Sequence, residues 1–264
     1  MDLQIKGKAA VVTGSTAGIG LAIAHSLAAE GAWVVVNGRT EKRVDAAVRE
    51  ILKAHGNAQV RGVAADVSKA AGCAKLVQAV PSADILVNNM GIFEPKPFEK
   101  ITDEDWMGIF EANVMSGVRL SRHYLPGMRE RNWGRIVFIS SESAVQIPAE
   151  MMHYGVTKTA QVAVARGIAE GVAGTGITVN SVLAGPTRSE GVQTFVAKLS
   201  AQAGVDAGTF EKQFFESVRP SSLLKRFAST AEVANMVTYL ASPLASATNG
   251  AAVRADGGVV RAIL

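Results

Sequence analysis

Cysteine is almost absent from this chain of 264 residues, which contains Cys73 alone. A single cysteine excludes an internal disulfide and any metal cage built from several thiolates, so we expect Cys73 to serve in packing and we expect no metal site. A protein without disulfides suits a reducing cytoplasm. Residues 1–8 hold no basic segment leading into an apolar stretch, so no secretory signal is expected.

Strong charge of one sign and long apolar runs are missing as well. The formal net charge is only +4, and the modest basic cluster between Arg119 and Arg135 lacks the aromatic interleaving that single-strand nucleic-acid binding requires. No uncharged apolar run reaches membrane-spanning length. We therefore expect neither a nucleic-acid nor a membrane partner. Hydrophobic residues make up 48% of the chain and charged residues 19%, which indicates a well-buried globular protein.

Short runs rich in valine and isoleucine alternate with helix-length segments along the chain. Such runs predict strands at Ala9–Thr13, Trp33–Asn37, Ile85–Asn88, Arg135–Ser140 and Ile177–Leu183, with helices at Gly20–Glu30, Glu41–His55, Asp103–Leu125 and Tyr154–Gly171. Strands apolar on both faces that alternate with helices predict an α/β fold with a doubly wound parallel sheet. Without repeats or linkers, we expect one domain over residues 1–264.

The alternation is interrupted between Arg188 and Arg226. One stretch there carries Val192, Phe195, Val196 and Leu199 at helical spacing, and a second carries Phe210, Phe214 and Val218. These stretches fit a pair of ordinary surface helices or a lid over a substrate pocket. The motifs on either side favour a substrate lid near 188–226.

A glycine-rich turn follows the first predicted strand. Its residues are Gly14, Ser15, Thr16, Gly18, Ile19 and Gly20. Glycines allow the backbone to approach a pyrophosphate closely, and the following helix N-terminus offers free N–H groups and a partial positive charge. After an N-terminal valine-rich strand, this turn indicates dinucleotide binding.

The end of the second predicted strand bears on which dinucleotide is bound. An acidic residue there would hold a ribose 2′-hydroxyl, but the segment from Asn37 to Thr40 contains no carboxylate. Arg39 instead offers planar donors suited to a 2′-phosphate. We therefore expect NADP(H) ahead of NAD(H), while an exposed loop arginine with no such role remains the alternative.

Tyr154 and Lys158 lie one turn apart on a predicted helix, so their side chains can meet. An ammonium beside a phenol stabilises the ionised form, which predicts a pKa for Tyr154 below the usual value of about 10. Such a group can donate a proton to a carbonyl oxygen near neutral pH.

Taken together, these motifs closely resemble the short-chain dehydrogenase/reductase family, over nearly the whole chain. Asp66 and Val67 resemble its adenine-contacting pair, and Asn88 to Gly91 resembles its Asn-Asn-Ala-Gly segment. Asn180 to Thr187 resembles the stretch after its sixth strand, and Gly250 to Gly258 resembles its closing strand. The resemblance implies cofactor contacts from Asp66, Val67, Asn89, Gly91, Tyr154, Lys158, Gly185 and Thr187, with Ser189 as an alternative to Thr187.

Asn113, Ser141, Tyr154 and Lys158 fall where the family keeps its catalytic residues. The resemblance implies that Tyr154 exchanges a proton with the substrate oxygen and that Ser141 hydrogen-bonds that oxygen. It implies that Lys158 lowers the tyrosine pKa and holds the nicotinamide ribose, and that Asn113 holds a water on a proton relay to Lys158. Two departures are Met90, where alanine is usual, and Ala184, where proline is usual.

The implied activity is NADP(H)-dependent interconversion of a carbonyl and a secondary alcohol on a small molecule. One alternative is a 3-oxoacyl-(acyl-carrier-protein) reductase, but such relatives typically carry arginines near Asn132 and Thr175. A non-catalytic dinucleotide-binding sensor is the second alternative, although a sensor would not need the full catalytic set. Met151, Met152 and the lid phenylalanines fit either a partly apolar pocket or plain packing.

The quaternary state is expected from the resemblance alone. The family commonly forms homotetramers through paired long helices and the C-terminal segment. The tail Val259–Leu264 is apolar enough to pack against a partner subunit, or alternatively against its own sheet.

Overall fold

The computed structural model describes residues 2–263, excluding the side chains of Phe195, Lys198, Leu199, Gln202 and Ala203. The strands are β1 (Ala9–Val12), β2 (Trp33–Gly38), β3 (Gln59–Ala64), β4 (Ile85–Asn88), β5 (Gly134–Ser141), β6 (Ile177–Ala184) and β7 (Ala252–Ala255). The helices are α1 (Gly18–Ala29), α2 (Glu41–Ala54), α3 (Ala70–Ala79), α4 (Asp103–Phe110), α5 (Ser116–Glu130), α6 (Met152–Gly171), α7 (Glu190–Ala203), α8 (Ala207–Gln213) and α9 (Thr230–Leu240).

All strand pairs are parallel, and the sheet order is β3-β2-β1-β4-β5-β6-β7. The chain moves outward from β1 to β3 and then returns to β4 on the other side of β1. This reversal places a crevice between the carboxyl ends of β1 and β4, where ligands bind in folds of this kind. The predicted doubly wound parallel sheet is confirmed, and the architecture is that of a single-domain Rossmann fold.

Each face of the sheet is covered by its own set of helices. On one face, Val12 packs with Ile23 of α1 and Val237 of α9, and on the other Val11 packs with Leu76 of α3 and Leu120 of α5. Every residue of β5 and β6 is buried, which explains their continuous apolar runs. Double burial of the central strands therefore gives the doubly wound architecture.

The predicted strands and helices are all present, with ends shifted by a few residues. Strand β3 and helices α3 and α9 were missed. Strand β3 lies at the sheet edge, where residues such as Gln59 and Arg61 are exposed and interrupt the apolar run. The long helix predicted over Asp103–Leu125 is α4 and α5 joined by a π-helical turn, Glu111–Met115, and it continues to Glu130.

The predicted lid consists of α7, α8 and a π-helical turn, Phe214–Val218. Phe214, Phe215 and Phe227 pack against one another with ring centroids 5.1–5.2 Å apart. These phenylalanines therefore form a small core for the segment, as the packing alternative predicted. The side chains of Phe195 and Leu199 lie outside the described residues.

The tail of the chain packs partly on its own sheet. Val259 and Val260 are buried within the chain, whereas Ile263 is 92% exposed. Leu264 lies outside the described residues. Within residues 2–263, no helix combines the length and the apolar character needed to cross a bilayer.

The close packing of α3 on the turn after β3 predicts a strong effect of one methyl group. A Cβ at Gly72 would lie 1.9 Å from the carbonyl oxygen of Asp66. We expect Gly72→Ala to lower the free energy of unfolding by about 1–3 kcal/mol, because the backbone must shift to admit the methyl group. Urea unfolding followed by circular dichroism measures the change.

Gly167 provides a matched control, because it lies in helix α6 and a Cβ there meets no atom within 4 Å. Gly167→Ala is expected to raise the free energy of unfolding by about 0.5–1 kcal/mol through helix propensity alone. Equal effects of the two substitutions would contradict the packing argument.

Candidate active site

The glycine-rich turn is held against β4 by Asn89. The Asn89 amide donates to the carbonyl oxygens of Thr13 and Gly14 at 2.9 and 3.0 Å. Gly14 and Gly18 adopt positive φ angles of 60° and 58°, which side chains disfavour. A Cβ at Gly20 would lie 2.4 Å from the Asn89 amide nitrogen, so no side chain fits there. The turn therefore needs glycine at these positions.

Ser15 and Thr16, predicted cofactor contacts, face the neighbouring strands. The buried Ser15 hydroxyl donates to Val12 O at 2.7 Å and accepts from the Asn37 N–H at 2.9 Å. A Cβ at Gly38 would lie 2.4 Å from the Thr16 methyl carbon, so Thr16 packs on the end of β2. These contacts leave the backbone of the turn as the surface that meets a ligand.

Helix α1 begins directly behind this turn. No side chain caps its N-terminus, and its first turn, which contains Ile19, holds no acidic residue. Its first N–H groups therefore lack intrahelical partners and lie at the positive end of the helix dipole.

Arg39 lies at the end of β2, at the same edge of the sheet. Its side chain is exposed and has no ion pair among the described residues, whereas nearby Arg43 pairs with Glu190 at 2.6 Å. The Ala65 N–H donates to Gly38 O at 2.8 Å, which places Asp66 beside this corner. The glycine turn, the uncapped helix and this free arginine together fit a dinucleotide that carries phosphates.

Lys158 lies in the crevice beyond the glycine turn. Its buried ammonium donates to Ile139 O at 2.9 Å and to Gln161 Oε1 at 3.1 Å. The same nitrogen is 5.5 Å from the ring centroid of Tyr154. A Cβ at Gly91 would lie 3.3 Å from it, so Gly91 leaves the space beside the ammonium open. The structure thus brings the predicted pair together beside the predicted cofactor edge.

Asn113 lies in the π-helical turn, a feature common at functional sites. Its side chain accepts from the Ile92 N–H at 2.7 Å and donates to Thr157 Oγ1 at 3.0 Å. Its main-chain carbonyl accepts from Gln161 Nε2 at 2.6 Å. Gln161 therefore connects Lys158 to Asn113 directly. Sequence reasoning missed Gln161, although its position one turn after Lys158 puts it on the same helix face.

Ser141, at the end of β5, is bonded to a residue that sequence reasoning also missed. The Ser141 hydroxyl donates to Glu142 Oε2 and accepts from the Ser143 N–H, the latter at 3.1 Å. Arg219, from the end of the lid segment, donates through Nε to Glu142 Oε1 at 3.1 Å. Glu142 and Arg219 are 5% and 8% exposed, so this is a buried ion pair touching a predicted catalytic group.

Gly185 and Thr187 follow β6, and Ser189 two residues later lies against the glycine turn, 3.1 Å from where a Cβ at Gly18 would stand. The buried Thr187 hydroxyl donates to Gly185 O at 2.8 Å. A Cβ at Gly185 would lie 2.4 Å from Asp256 O, so only glycine fits there. Ser189, the alternative to Thr187 as a predicted cofactor contact, caps the N-terminus of α7, where its side chain accepts from the Val192 N–H.

Comparison with known proteins identifies the family to which the chain belongs. A family profile described as enoyl-(acyl carrier protein) reductase matches residues 14–260. The chain is 48% identical to the uncharacterized oxidoreductase YvaG of Bacillus subtilis, with all of both chains covered. The chain belongs to the short-chain dehydrogenase/reductase family. It is 32% identical to the 3-oxoacyl-(acyl-carrier-protein) reductase FabG of Aquifex aeolicus, over 98% of this chain and 100% of that one.

A solved structure of this family gives the same fold. The L-sorbose reductase of Gluconobacter frateurii, complexed with NADPH and L-sorbose, superposes with a TM-score of 0.94 at 35% identity, over the full length of both chains. As a member of this family, the protein is an NAD(P)-dependent oxidoreductase acting on carbonyl and CH–OH substrates.

The pKa of Tyr154 differs from the prediction. Burial raises the pKa of Tyr154 above its ordinary value, the Glu142 charge adds to that rise, and the Ser141 hydrogen bond and Arg219 oppose it. The predicted lowering by Lys158 was wrong, because the ammonium donates to Ile139 O and Gln161 Oε1 and burial of the phenol is the largest influence on its pKa. Burial also lowers the pKa of Lys158 to about 8.

The two departures from the family pattern are accommodated locally. The Met90 N–H donates to Thr13 Oγ1 at 2.9 Å, and its side chain packs against the apolar cluster beneath β4. Ala184 ends β6, and the following Gly185 N–H donates to Ala255 O at 3.1 Å, which anchors the loop without proline. His153, which precedes Tyr154, packs edge-on against Trp106 with ring centroids 5.9 Å apart.

The depressed pKa of Lys158 predicts a pH-dependent stability. Below pH 8 the native and unfolded states are both protonated, but between about 8 and 10.5 the unfolded state binds the extra proton. This group therefore makes the free energy of unfolding rise with pH across that window. Replacing it by Lys158→Met removes the rise, so the stability of the variant relative to wild type is expected to fall as pH increases from 7 to 10.

Urea unfolding of both proteins at several pH values measures this difference. Lys53→Met, on the exposed face of α2, supplies the baseline for removing one lysine. A stability difference between Lys158→Met and wild type that stays constant over the window would contradict the shifted pKa.

Proposed function

We propose that this protein is an NADP(H)-dependent reductase of a small-molecule ketone, with Tyr154 as the general acid and base. The observation that carries the proposal is the convergence of Tyr154, Lys158 and Ser141 beside Gly91 and the glycine-rich turn. Bound NADPH supplies the hydride that reduces the carbonyl carbon. The side chains of the protein supply the proton and stabilise the charge on the oxygen.

Tyr154 gives its phenolic proton to the carbonyl oxygen and takes it back in the oxidative direction. Its raised pKa keeps it protonated at neutral pH, so a proton is always available for reduction. Ser141 donates a second hydrogen bond to the same oxygen and stabilises the charge that develops there. Lys158, with a pKa of about 8, carries its ammonium at pH 7 and places a positive charge beside the tyrosine ring.

Preference for NADP(H) over NAD(H) is supported by Arg39. Its guanidinium is exposed at the end of β2, where no carboxylate stands to hold a ribose 2′-hydroxyl. It is also unpaired within the described part of the chain, so binding a phosphate breaks no existing ion pair. The NADPH bound to the similar L-sorbose reductase supports the same preference.

A small ketone is favoured over a carrier-bound thioester. Asn132 and Thr175, where carrier-dependent relatives are expected to carry arginines, are uncharged and engaged locally. Asn132 Oδ1 accepts from the Gly176 N–H at 2.9 Å, and Thr175 Oγ1 donates to Val172 O at 2.6 Å. The likeness to the Aquifex aeolicus enzyme keeps the thioester reductase as the second candidate. A complete catalytic set argues against a non-catalytic sensor.

The oligomeric state, the cellular location and the substrate lid also belong to the proposal. A homotetramer and a cytoplasmic location stay predictions, as does the role of α7 and α8 as a substrate lid. The ion pair between Arg43 and Glu190 supports the lid, because it ties the start of α7 to the predicted cofactor edge.

Tyr154→Phe is expected to lower kcat at least about 1,000-fold, because it removes the acidic phenol that gives its proton to the substrate oxygen, and Ser141 hydrogen-bonds that oxygen without being acidic enough to replace it. The NADPH dissociation constant should change little. Turnover is followed by NADPH and NADH oxidation against ketones, aldehydes and 3-oxoacyl thioesters, and binding by calorimetry. Retained activity would contradict the assigned role of Tyr154. A preference for the thioesters would favour the 3-oxoacyl thioester reductase.

Arg39→Asp is expected to raise the ratio of kcat/KM for NADH over NADPH at least about 10-fold. The introduced carboxylate repels a 2′-phosphate and accepts a bond from a ribose hydroxyl. Arg49→Asp, an equal charge change on the exposed face of α2, is the matched control. If both variants shift the ratio equally, Arg39 does not recognise the phosphate.

A further inference from the structure

Glu142 is a buried carboxylate in direct contact with the predicted catalytic centre, and no role has been assigned to it so far. It is 5% exposed, and its Oε2 accepts the proton of the Ser141 hydroxyl. It begins a short 3₁₀ turn, Glu142–Ala144, that follows β5 directly. Burying a carboxylate is costly unless donors surround it, so its persistence beside Ser141 calls for a function.

The hydrogen bonds of Ser141 limit what can bind there. The hydroxyl has one proton, and its oxygen already accepts from the Ser143 N–H at 3.1 Å. That proton goes either to Glu142 or to a substrate oxygen. When a carbonyl oxygen takes it, Glu142 Oε2 loses its donor while the other oxygen keeps the 3.1 Å bond from Arg219. The substrate must then replace the lost donor or leave a buried charge partly unsatisfied.

A hydroxyl on the carbon next to the carbonyl supplies the missing donor. A carbonyl oxygen that accepts a hydrogen bond from Ser141 lies about 2.5–3.0 Å from the serine oxygen. The hydroxyl is on the carbon next to the carbonyl carbon, so the two substrate oxygens are on neighbouring carbon atoms. Because Ser141 and Glu142 are themselves in hydrogen-bond contact, such a hydroxyl falls within reach of the carboxylate. The number of hydrogen bonds is then conserved, since the substrate accepts one from Ser141 and donates one to Glu142.

Arg219 holds the carboxylate in place for this exchange. Its Nε bonds Glu142, and its Nη1 reaches Glu150 at 3.4 Å. Arg219 is 8% exposed and directly follows the π-helical turn Phe214–Val218. The lid segment therefore fixes the charge next to the predicted catalytic serine, and its Phe214 ring lies against Arg219, with the ring centroid 6.0 Å from Cζ of the guanidinium.

We propose that Glu142, oriented by Arg219, selects α-hydroxy carbonyl compounds, such as ketoses and small hydroxyketones, by accepting a hydrogen bond from the hydroxyl beside the reacting carbonyl. The inference rests on the proposed ketone reductase function. In the reaction, the carbonyl carbon gains a hydride, its oxygen gains the Tyr154 proton, NADPH becomes NADP⁺, and the selecting hydroxyl keeps its own proton. A simple ketone or an acyl thioester lacks that donor.

Hydroxyacetone and butanone test the proposal, since they differ by a hydroxyl in place of a methyl group. Glu142→Gln is expected to lower kcat/KM for hydroxyacetone by about 10- to 100-fold, the effect of losing a hydrogen bond to a charged group. Because the Glu142 charge also adds to the raised pKa of Tyr154, butanone reports the effect common to both substrates. The ratio of kcat/KM for hydroxyacetone over butanone is therefore the readout, and it is expected to fall at least about 10-fold. A purely structural role for Glu142 would lower both values together, which would overturn the proposal.

Glu150→Gln is the matched control. It removes an equal charge from the Arg219 pair, but Glu150 has a side chain 48% exposed, and its bond runs to Arg219, not to Ser141. The preference for hydroxyacetone over butanone should survive this change. Loss of the preference in Glu150→Gln to the same extent as in Glu142→Gln would also overturn the proposal, because it would assign the effect to net charge.

Binding without turnover separates this inference from the proposed function. Calorimetry compares propylene glycol with sec-butanol on the NADP⁺-loaded protein, wild type and Glu142→Gln. Tighter binding of the diol to wild type, lost in the variant, supports the role of Glu142 even if neither ketone is reduced and the proposed function fails. Equal binding of the two alcohols to wild type overturns the inference, whatever the turnover of ketones shows.

Discussion

The amide of Asn89 is the contact on which both halves of the site depend. By donating to the carbonyls of Thr13 and Gly14, it fixes the glycine turn to the end of β4 across the switch point of the sheet. Gly91, which leaves open the space beside Lys158, comes only two residues later. The edge that fits a dinucleotide and the group of predicted catalytic side chains are therefore held at one fixed separation, as hydride transfer between two bound molecules requires.

Burial sets the electrostatics of this centre. It raises the pKa of Tyr154 and lowers that of Lys158, each by disfavouring the charged form. The result is a neutral phenol near an ammonium that loses its proton more readily than an exposed lysine does, with the buried ion pair of Glu142 and Arg219 beside Ser141. Under the proposed mechanism the protonated phenol supplies the proton, and the buried ion pair beside Ser141 supports the proposed α-hydroxy carbonyl substrate over an acyl chain.

Much of the fold was predictable from local pattern. The central strands are buried on both faces, so their apolar runs predicted them correctly. The glycine turn and the Tyr154–Lys158 pair were also predictable, because each is defined by residues close together in the sequence. Strand β3 was missed because its outer position exposes alternate residues. The roles of Asn113 and Ser141 came from the family resemblance, since a lone asparagine or serine carries no pattern of its own.

The sequence by itself determined the parallel sheet, the dinucleotide-binding turn and the spacing of the predicted acid and base, because these depend on neighbours within a turn or a strand. Only the tertiary structure decided that Arg219 reaches Glu142, 77 positions away, and that the Lys158 ammonium faces the tyrosine ring. Such contacts depend on how β5, α6 and the lid segment pack. Charge and burial at a site are properties of that packing, which short-range sequence patterns do not contain.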